Sequence, residues 1–290
     1  MRARWLAGCG LRALVAPLVV AGVLTGLGQG DALASACATS TGTAWKQVPS
    51  PSPGSDINSL NGVAAVSSCQ AWAVGEYLNT KGPYHTLIER WNGAARQQVP
   101  SPSPGIIGNT LSAVAATSAT NAWAVGRYAS TRPTPTLALI EHWNGTAWKQ
   151  VPSPNPSSTY SVLFGVTATS ATNAWAIGQF NPIPGAKPLI LHWNGITWKQ
   201  VPSPNPGGAL LSGITATSSA NAWAVGGYSS NGHAKTLILR WTGTAWKQVP
   251  SPNPGESVLS GVAATSVTNI WAVGNYVSSS GNKTLTVHCC

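Results

Sequence analysis

From residue 60 onward, short apolar runs alternate with turn-forming residues, and no stretch keeps the three-to-four-residue rhythm of an amphipathic helix. The runs are rich in Val, Ile, Thr and Trp and are bounded by Gly, Pro, Asn and Ser, which predicts short β-strands. Four kinds of run recur in a fixed order. The first reads Leu-x-Gly-Val-Ala-Ala-Thr-Ser, as at 259–266, and the second Asn-Ala-Trp-Ala-Val-Gly, as at 121–126. The third is Thr-Leu-Ile-Leu-Arg-Trp at 236–241, and the fourth Ala-Trp-Lys-Gln-Val at 147–151.

The order repeats along the whole chain. Ala-Trp-Ala-Val-Gly surrounds Trp72, Trp123 and Trp223, with close variants at Trp175 and Trp271, at intervals of 51, 52, 48 and 48 residues. Repeats therefore start near 60, 111, 163, 211 and 259. Four strands in each unit of about fifty residues predict the blade of a propeller. The expectation is an all-β protein, a five-bladed β-propeller with four antiparallel strands per blade, forming one domain over 35–290. Residues 43–48 are a lone fourth strand, whereas 259–290 supply a first, second and third strand only. The N-terminal strand is thus expected to complete the C-terminal blade and close the ring, which removes exposed sheet edges. The alternative is an open stack with two such edges.

Spacing within the repeat distinguishes two faces. The first-strand Leu and the second-strand Trp stand 12 residues apart in all five copies, and the third-strand Trp and fourth-strand Val 8 apart in all four complete copies. The other two connections vary, one between 10 and 12 residues and the other between 18 and 20. In an up-and-down blade the two variable loops share a face, and exposed variable loops are where binding function concentrates.

Composition adds little to the fold but bears on location. The sequence carries 14 Trp and only 8% charged residues, with a net charge of +10. Arg2, Arg4 and Arg12 precede a mostly apolar stretch over 11–27, followed by Ala32-Leu33-Ala34 and Ala34-Ser35-Ala36, so residues 1–34 read as a signal peptide. A membrane anchor is the competing reading, but Pro17 and several Gly interrupt a stretch short of the roughly 20 apolar residues a span needs. The mature chain is expected to be secreted, monomeric and without a transmembrane segment; lipidation of Cys37 stays open. Lys46, Lys149, Lys199 and Lys247 each follow a repeated Trp, so the basic charge is spread over the blades rather than gathered into the stripe that nucleic acid requires.

Export permits disulfides, and Cys37, Cys69, Cys289 and Cys290 remain after cleavage. Cys289 replaces the third-strand Trp where the chain must meet its N-terminal strand. A bond from Cys37 to Cys289 or Cys290 is expected, with Cys69 taking the remaining cysteine. The alternatives are pairing of Cys289 with Cys290, or free thiols.

The run Val-Gly-Gly-Tyr at 225–228, then Thr-Leu-Ile-Leu-Arg-Trp, a turn and Trp246, resembles kelch-like propeller repeats, although most copies carry one Gly where kelch has two. The Trp-Asn-Gly-Thr-Ala-Trp turn resembles the Asp-box turn of sialidase-like propellers, with Asn144 and Asn194 where that motif has Asp. These resemblances span 43–290. They imply a propeller of the secreted bacterial type, a class whose five-bladed members include lectins binding one sugar per blade.

Candidate chemistry is sparse. The mature chain offers Asp56, Glu76, Glu89, Glu141 and Glu256 as carboxylates; Glu89 and Glu141 share one third-strand position and read as solvent-facing. His142, His192 and His288 share another position, filled by Arg90 and Arg240 elsewhere, and read as structural. His85 and His233 fall in variable loops. No catalytic motif, cofactor motif or metal-ligand cluster is expected. The second-strand tryptophans are expected to fill the core between blades. Tyr77, Tyr128, Phe180, Tyr228 and Tyr276 each follow the Gly that ends the second-strand motif by two residues, with Glu76, Arg127, Gln179, Gly227 and Asn275 just before them. A repeated aromatic beside a varied polar residue suits a multi-site binding face, and it equally suits a packing ring. The expected function is a secreted, non-catalytic binding module for a carbohydrate (lectin-like) through the variable-loop face. A structural or protein-interaction propeller at the cell surface, with a surface protein as partner, and a glycan-active hydrolase or lyase are the alternatives.

Overall fold

A computed structural model describes residues 45–130, 135–182 and 185–289. The expected signal peptide, Cys37 and Cys290 lie outside the described residues. The chain is all-β there, with five antiparallel sheets following one another in sequence. Blade one comprises β1 (Ile57–Ser67), β2 (Gln70–Leu78), β3 (Tyr84–Trp91) and β4 (Arg96–Gln98). Blade two comprises β5 (Gly108–Ser118), β6 (Asn121–Ala129), β7 (Thr136–Trp143) and β8 (Trp148–Gln150). Blade three comprises β9 (Ser161–Ser170), β10 (Asn173–Phe180), β11 (Lys187–Trp193) and β12 (Trp198–Gln200). Blade four comprises β13 (Leu210–Ser218), β14 (Asn221–Ser230), β15 (His233–Trp241) and β16 (Trp246–Val249). Blade five has β17 (Glu256–Ala264), β18 (Ile270–Ser278) and β19 (Gly281–Cys289). First strands of all five blades line one cavity of about 310 Å³. Among the described residues the fifth sheet has three strands, and residues 45–50 lie exposed outside any strand.

The repeated motifs have physical causes. Each first strand carries a bulge after its Leu, or beside it in blade three, which brings a backbone carbonyl onto the Gly of Ala-Trp-Ala-Val-Gly. A Cβ at Gly75, Gly126, Gly178, Gly226 or Gly274 would fall on the carbonyl oxygen of Ser59, Thr110, Val162, Leu210 or Val258 respectively. In the Trp-Asn-Gly turns, the Oδ1 atoms of Asn92, Asn144 and Asn194 accept from backbone N–H groups two and three residues on, at 2.9–3.0 Å. The following Gly adopts φ of +93°, +98° and +92°. The third-strand indoles then staple the opposite turn: Nε1 of Trp91, Trp143, Trp193 and Trp241 donates to the carbonyls of Ser68, Ala119, Ala171 and Ser219 at 3.0–3.1 Å. That bond ties the two constant connections to each other and accounts for their fixed lengths.

The core is a series of layers between blades. Trp72 of blade one meets Trp143 and Trp148 of blade two at centroid distances of 4.9 and 5.1 Å. Trp123 meets Trp193 and Trp198, and Trp175 meets Trp241 and Trp246, in the same arrangement. Four of the five second-strand tryptophans are buried as expected, while Trp271 is 48% exposed. Its ring partner among the described residues is His288, at 4.0 Å.

Glu89 and Glu141 are not solvent-facing. Both are 0% exposed, because one side of a third strand is covered by the next blade and the other side by the preceding blade for Glu141 and by the segment carrying Ser50 for Glu89. Alternation along it therefore separates two interfaces rather than core from water. Ile140 packs toward blade three, so Glu141 turns toward blade one. Glu89 turns away from blade two by the same reasoning, and Ser50 Oγ donates to its carboxylate at 2.7–2.8 Å.

Candidate functional site

On the variable-loop face, the start of a first strand and the end of a second strand from one blade lie beside the loop of its neighbour. Between blades one and two this builds a cleft of about 390 Å³, lined by Glu76, Tyr84, Thr110, Arg127, Tyr128 and Thr136. Second-strand register explains the grouping. Arg127 is paired with Thr110 and Ala138, and Tyr128 with Asn109 and Leu137, so both stand where the strand emerges from the core.

The floor of the cleft is ordered by asparagines. Asn109, 1% exposed, donates to the Tyr84 carbonyl at 2.9 Å and closes a local ring with the Gly105 backbone, N–H to Oδ1 and Nδ2 to carbonyl, both at 2.7 Å. Asn61 Nδ2 donates to Glu76 Oε2 at 2.7 Å and to the Leu111 carbonyl at 2.9 Å, spanning the two blades. Glu76 is half-buried and Arg127 exposed. The ion pairs among the described residues are Arg96–Glu89 and His233–Glu256, so the Arg127 guanidinium is not spent on Glu76. Two phenol rings, a guanidinium, a carboxylate and the Thr136 hydroxyl can grip a polar ring compound by stacking and hydrogen bonds.

Other candidate residues are placed elsewhere. Tyr228 lines a second cleft, of about 450 Å³, between blades four and five with Gly208, Gly232, Ala234 and Glu256. There Glu256 accepts from the Ala234 N–H at 2.9 Å and lies 2.7 Å from His233 Nδ1; those hydrogen bonds, the backbone one foremost, hold its carboxyl below the usual range. Tyr77 stacks on His85 at 5.1 Å, beside Thr86, Ser101 and Ser103. Tyr128, Phe180, Tyr228 and Tyr276 are half-buried and each packs on an inter-blade core cluster, so the aromatic ring of residues also serves packing. Gln179 is 5% exposed, and Asn275 is exposed on β18. Of the nine expected binding residues, the structure brings Glu76, Arg127 and Tyr128 into one cleft. Tyr84 and Thr136 escaped the sequence reading because they open β3 and β7 at one repeat position without sharing a residue type that would mark it.

The shared histidine position is structural, as expected. His142, His192 and His288 are direct cross-strand partners of Trp123, Trp175 and Trp271, and stack on them at 4.0–4.1 Å. Burial lowers the pKa of His142 and His192, so each imidazole is held neutral, with Nε2 2.8 Å from Asn121 or Asn173 Oδ1. Arg90 and Arg240 fill the same place over Trp72 and Trp223, at 5.5 and 5.2 Å. Among the described residues, no group of three or more His, Cys, Asp or Glu could hold a metal ion, and no helix is long and apolar enough to cross a membrane. Cys289 is exposed with a free thiol, which departs from its expected bond to Cys37, Cys69 or Cys290; Cys37 and Cys290 themselves lie outside the described residues.

No family model matches the chain, and no curated protein matches it significantly. Solved structures do. YCF48 from Cyanidioschyzon merolae is 16% identical with a TM-score of 0.50, over 84% of this chain and 75% of that one. YCF48 bound to D1 peptide gives 16% and 0.48, over 78% and 68%. The GH74 xyloglucanase from Xanthomonas campestris gives 12% and 0.49, over 79% of this chain and 37% of that one. The first of these, a β-propeller at a TM-score of 0.50, together with the five consecutive antiparallel sheets supports reading this chain as a propeller repeat protein. At such identities the likeness speaks to fold alone.

Proposed function

We propose that this protein is an exported, non-catalytic binding module whose ligand is a carbohydrate held in the clefts between blades on the variable-loop face. The observation that supports this most is the convergence of Arg127, Tyr128 and Tyr84 with Glu76 at one inter-blade cleft, with the buried Asn109 bonded to the Tyr84 carbonyl and Asn61 to Glu76. Aromatic faces match the C–H face of a pyranose, and the unpaired Arg127 supplies fixed donors to ring hydroxyls or a uronate. Glu89 and Glu141, the two carboxylates at equivalent positions in neighbouring blades, are withdrawn into blade interfaces and play no part in this reading. We further propose that residues 1–34 are removed on export, and that residues 43–48 complete the fifth sheet, with the repeat related to the kelch type.

Arg127 is exposed at the cleft mouth, so Arg127→Ala should leave the folding midpoint within about 1 °C, as surface changes do. On a glycan array the unmodified chain should bind a defined set of saccharides, and Arg127→Ala should lose at least tenfold of that signal. An array on which the unmodified chain stays silent, while a surface protein is captured from the host, would favour the interaction-propeller reading instead.

A further inference from the structure

Three inter-blade layers hold a triad of indoles, and the fourth does not. Trp72, Trp123 and Trp175 are each covered by a third-strand and a fourth-strand Trp of the following blade. Trp223 stands in the same register on blade four, yet blade five offers Cys289 at the third-strand position. Over Trp223 lies a cavity of about 380 Å³, lined also by Val225, Ile238, Ile270, Val287 and Cys289. The outer edge of β19 beside it is unpaired among the described residues.

The chain carries a segment made for this place. Residues 41–51 read Thr-Gly-Thr-Ala-Trp-Lys-Gln-Val-Pro-Ser-Pro, identical at every position to 242–252, which form the turn and outer strand of blade four. In that copy, Trp246 meets Trp175 at 5.2 Å and 86°. Its counterpart Trp45 is fully exposed. The segment is also on the correct side of the molecule, since Ser50 bonds Glu89 on the face of blade one that is turned away from blade two.

We infer that the cavity over Trp223 is an indole seat whose occupant is this chain's own Trp45, delivered as the fourth strand of blade five. The inference deepens the proposed completion of the fifth sheet and does not depend on any ligand. Blade four fixes the register: Trp241, Arg240, Leu239 and Ile238 oppose Trp246, Lys247, Gln248 and Val249. Transferred to blade five, Cys289 opposes Trp45, His288 opposes Lys46, Val287 opposes Gln47 and Thr286 opposes Val48. Seating the indole restores the missing layer and pairs the open edge of β19.

The register makes Cys289 a reporter. In the full chain, Trp45→Cys should form an intramolecular disulfide with Cys289 on mild oxidation, read by non-reducing peptide mass spectrometry of the monomer, because directly opposed residues lie within disulfide reach. Gln47→Cys, which opposes Val287, should not. Absence of the first crosslink would overturn the inference, and so would a crosslink found only between two chains, which would assign the seat to a second copy. Separately, Trp45→Ala should lower the thermal midpoint by about 8 °C and Trp45→Phe by about half as much. A crosslink with an unchanged midpoint in Trp45→Ala would leave strand completion standing and refute the indole seat.

Discussion

Gly126→Ala is expected to destabilise the protein by about 4 kcal/mol, enough to leave a marginal domain largely unfolded. The reason is a clash with backbone rather than with a side chain that can turn aside. The new Cβ would fall on the Thr110 carbonyl oxygen, with the Thr110 carbonyl carbon and Leu111 Cα each 2.9 Å away. Relief requires β5 and β6 to part at the bulge, in the middle of the sheet and beside the fully buried Leu111. Overpacking of an ordinary core site costs about 1–3 kcal/mol, and here the bulge cannot yield without losing ladder hydrogen bonds. Gly82 is the contrast: no atom lies within 4 Å of its added Cβ, and Gly82→Ala should change stability by less than about 0.5 kcal/mol. Urea titrations of the two variants read the difference.

Glu141→Leu should act in the opposite direction, raising stability at neutral pH by about 3 kcal/mol. Glu141 is 0% exposed, and neither carboxyl oxygen has a hydrogen-bond partner among the described residues. Leu191 and Leu239 hold the same place opposite Gln200 and Gln248, as Glu141 does opposite Gln150, so the site accepts leucine in two sister blades. Burial drives the Glu141 pKa well above 4.5, so the folded state keeps the proton that the unfolded state releases. Stability from this group is therefore complete below about pH 4.5 and falls as pH rises through the folded-state value. The gain from Glu141→Leu should be smallest near pH 4.5 and grow toward neutrality. Glu89→Leu should show no such gain, because the Glu89 carboxylate accepts from the Ser50 hydroxyl, shared between its two oxygens, and lies 3.9 Å from Arg96.

Much of the blade was legible in the sequence, for reasons particular residues show. Trp72, Trp123, Trp175 and Trp223 announced themselves by period, and each is buried between sheets. The constant spacings were also visible, although their cause, an indole Nε1 bound to a turn carbonyl, could be seen only in three dimensions. The bulge left no independent mark, since a constant 12-residue interval is silent about how its residues pair. Glu89 and Glu141 misled because strand alternation normally divides core from water, whereas the second side of these third strands is covered too, by blade one at Glu141 and by the Ser50 segment at Glu89. The aromatics after each second-strand Gly lie inside the second strands, paired in the ladder, rather than at the start of the variable loops, and period alone could not tell which would share a cleft. That depended on Tyr84 and Thr136, which hold one repeat position but share no residue type.

The central functional claim is that ligand sits between blades one and two on the variable-loop face. Hydrogen–deuterium exchange of the full chain, with and without the best saccharide from the array, tests it most directly. Slowed exchange is expected in peptides covering 76–84, 107–110 and 127–130, with the constant turns at 67–70 and 118–121 unchanged. Protection confined to those turns, or absent from all three cleft segments at saturating saccharide, would contradict it.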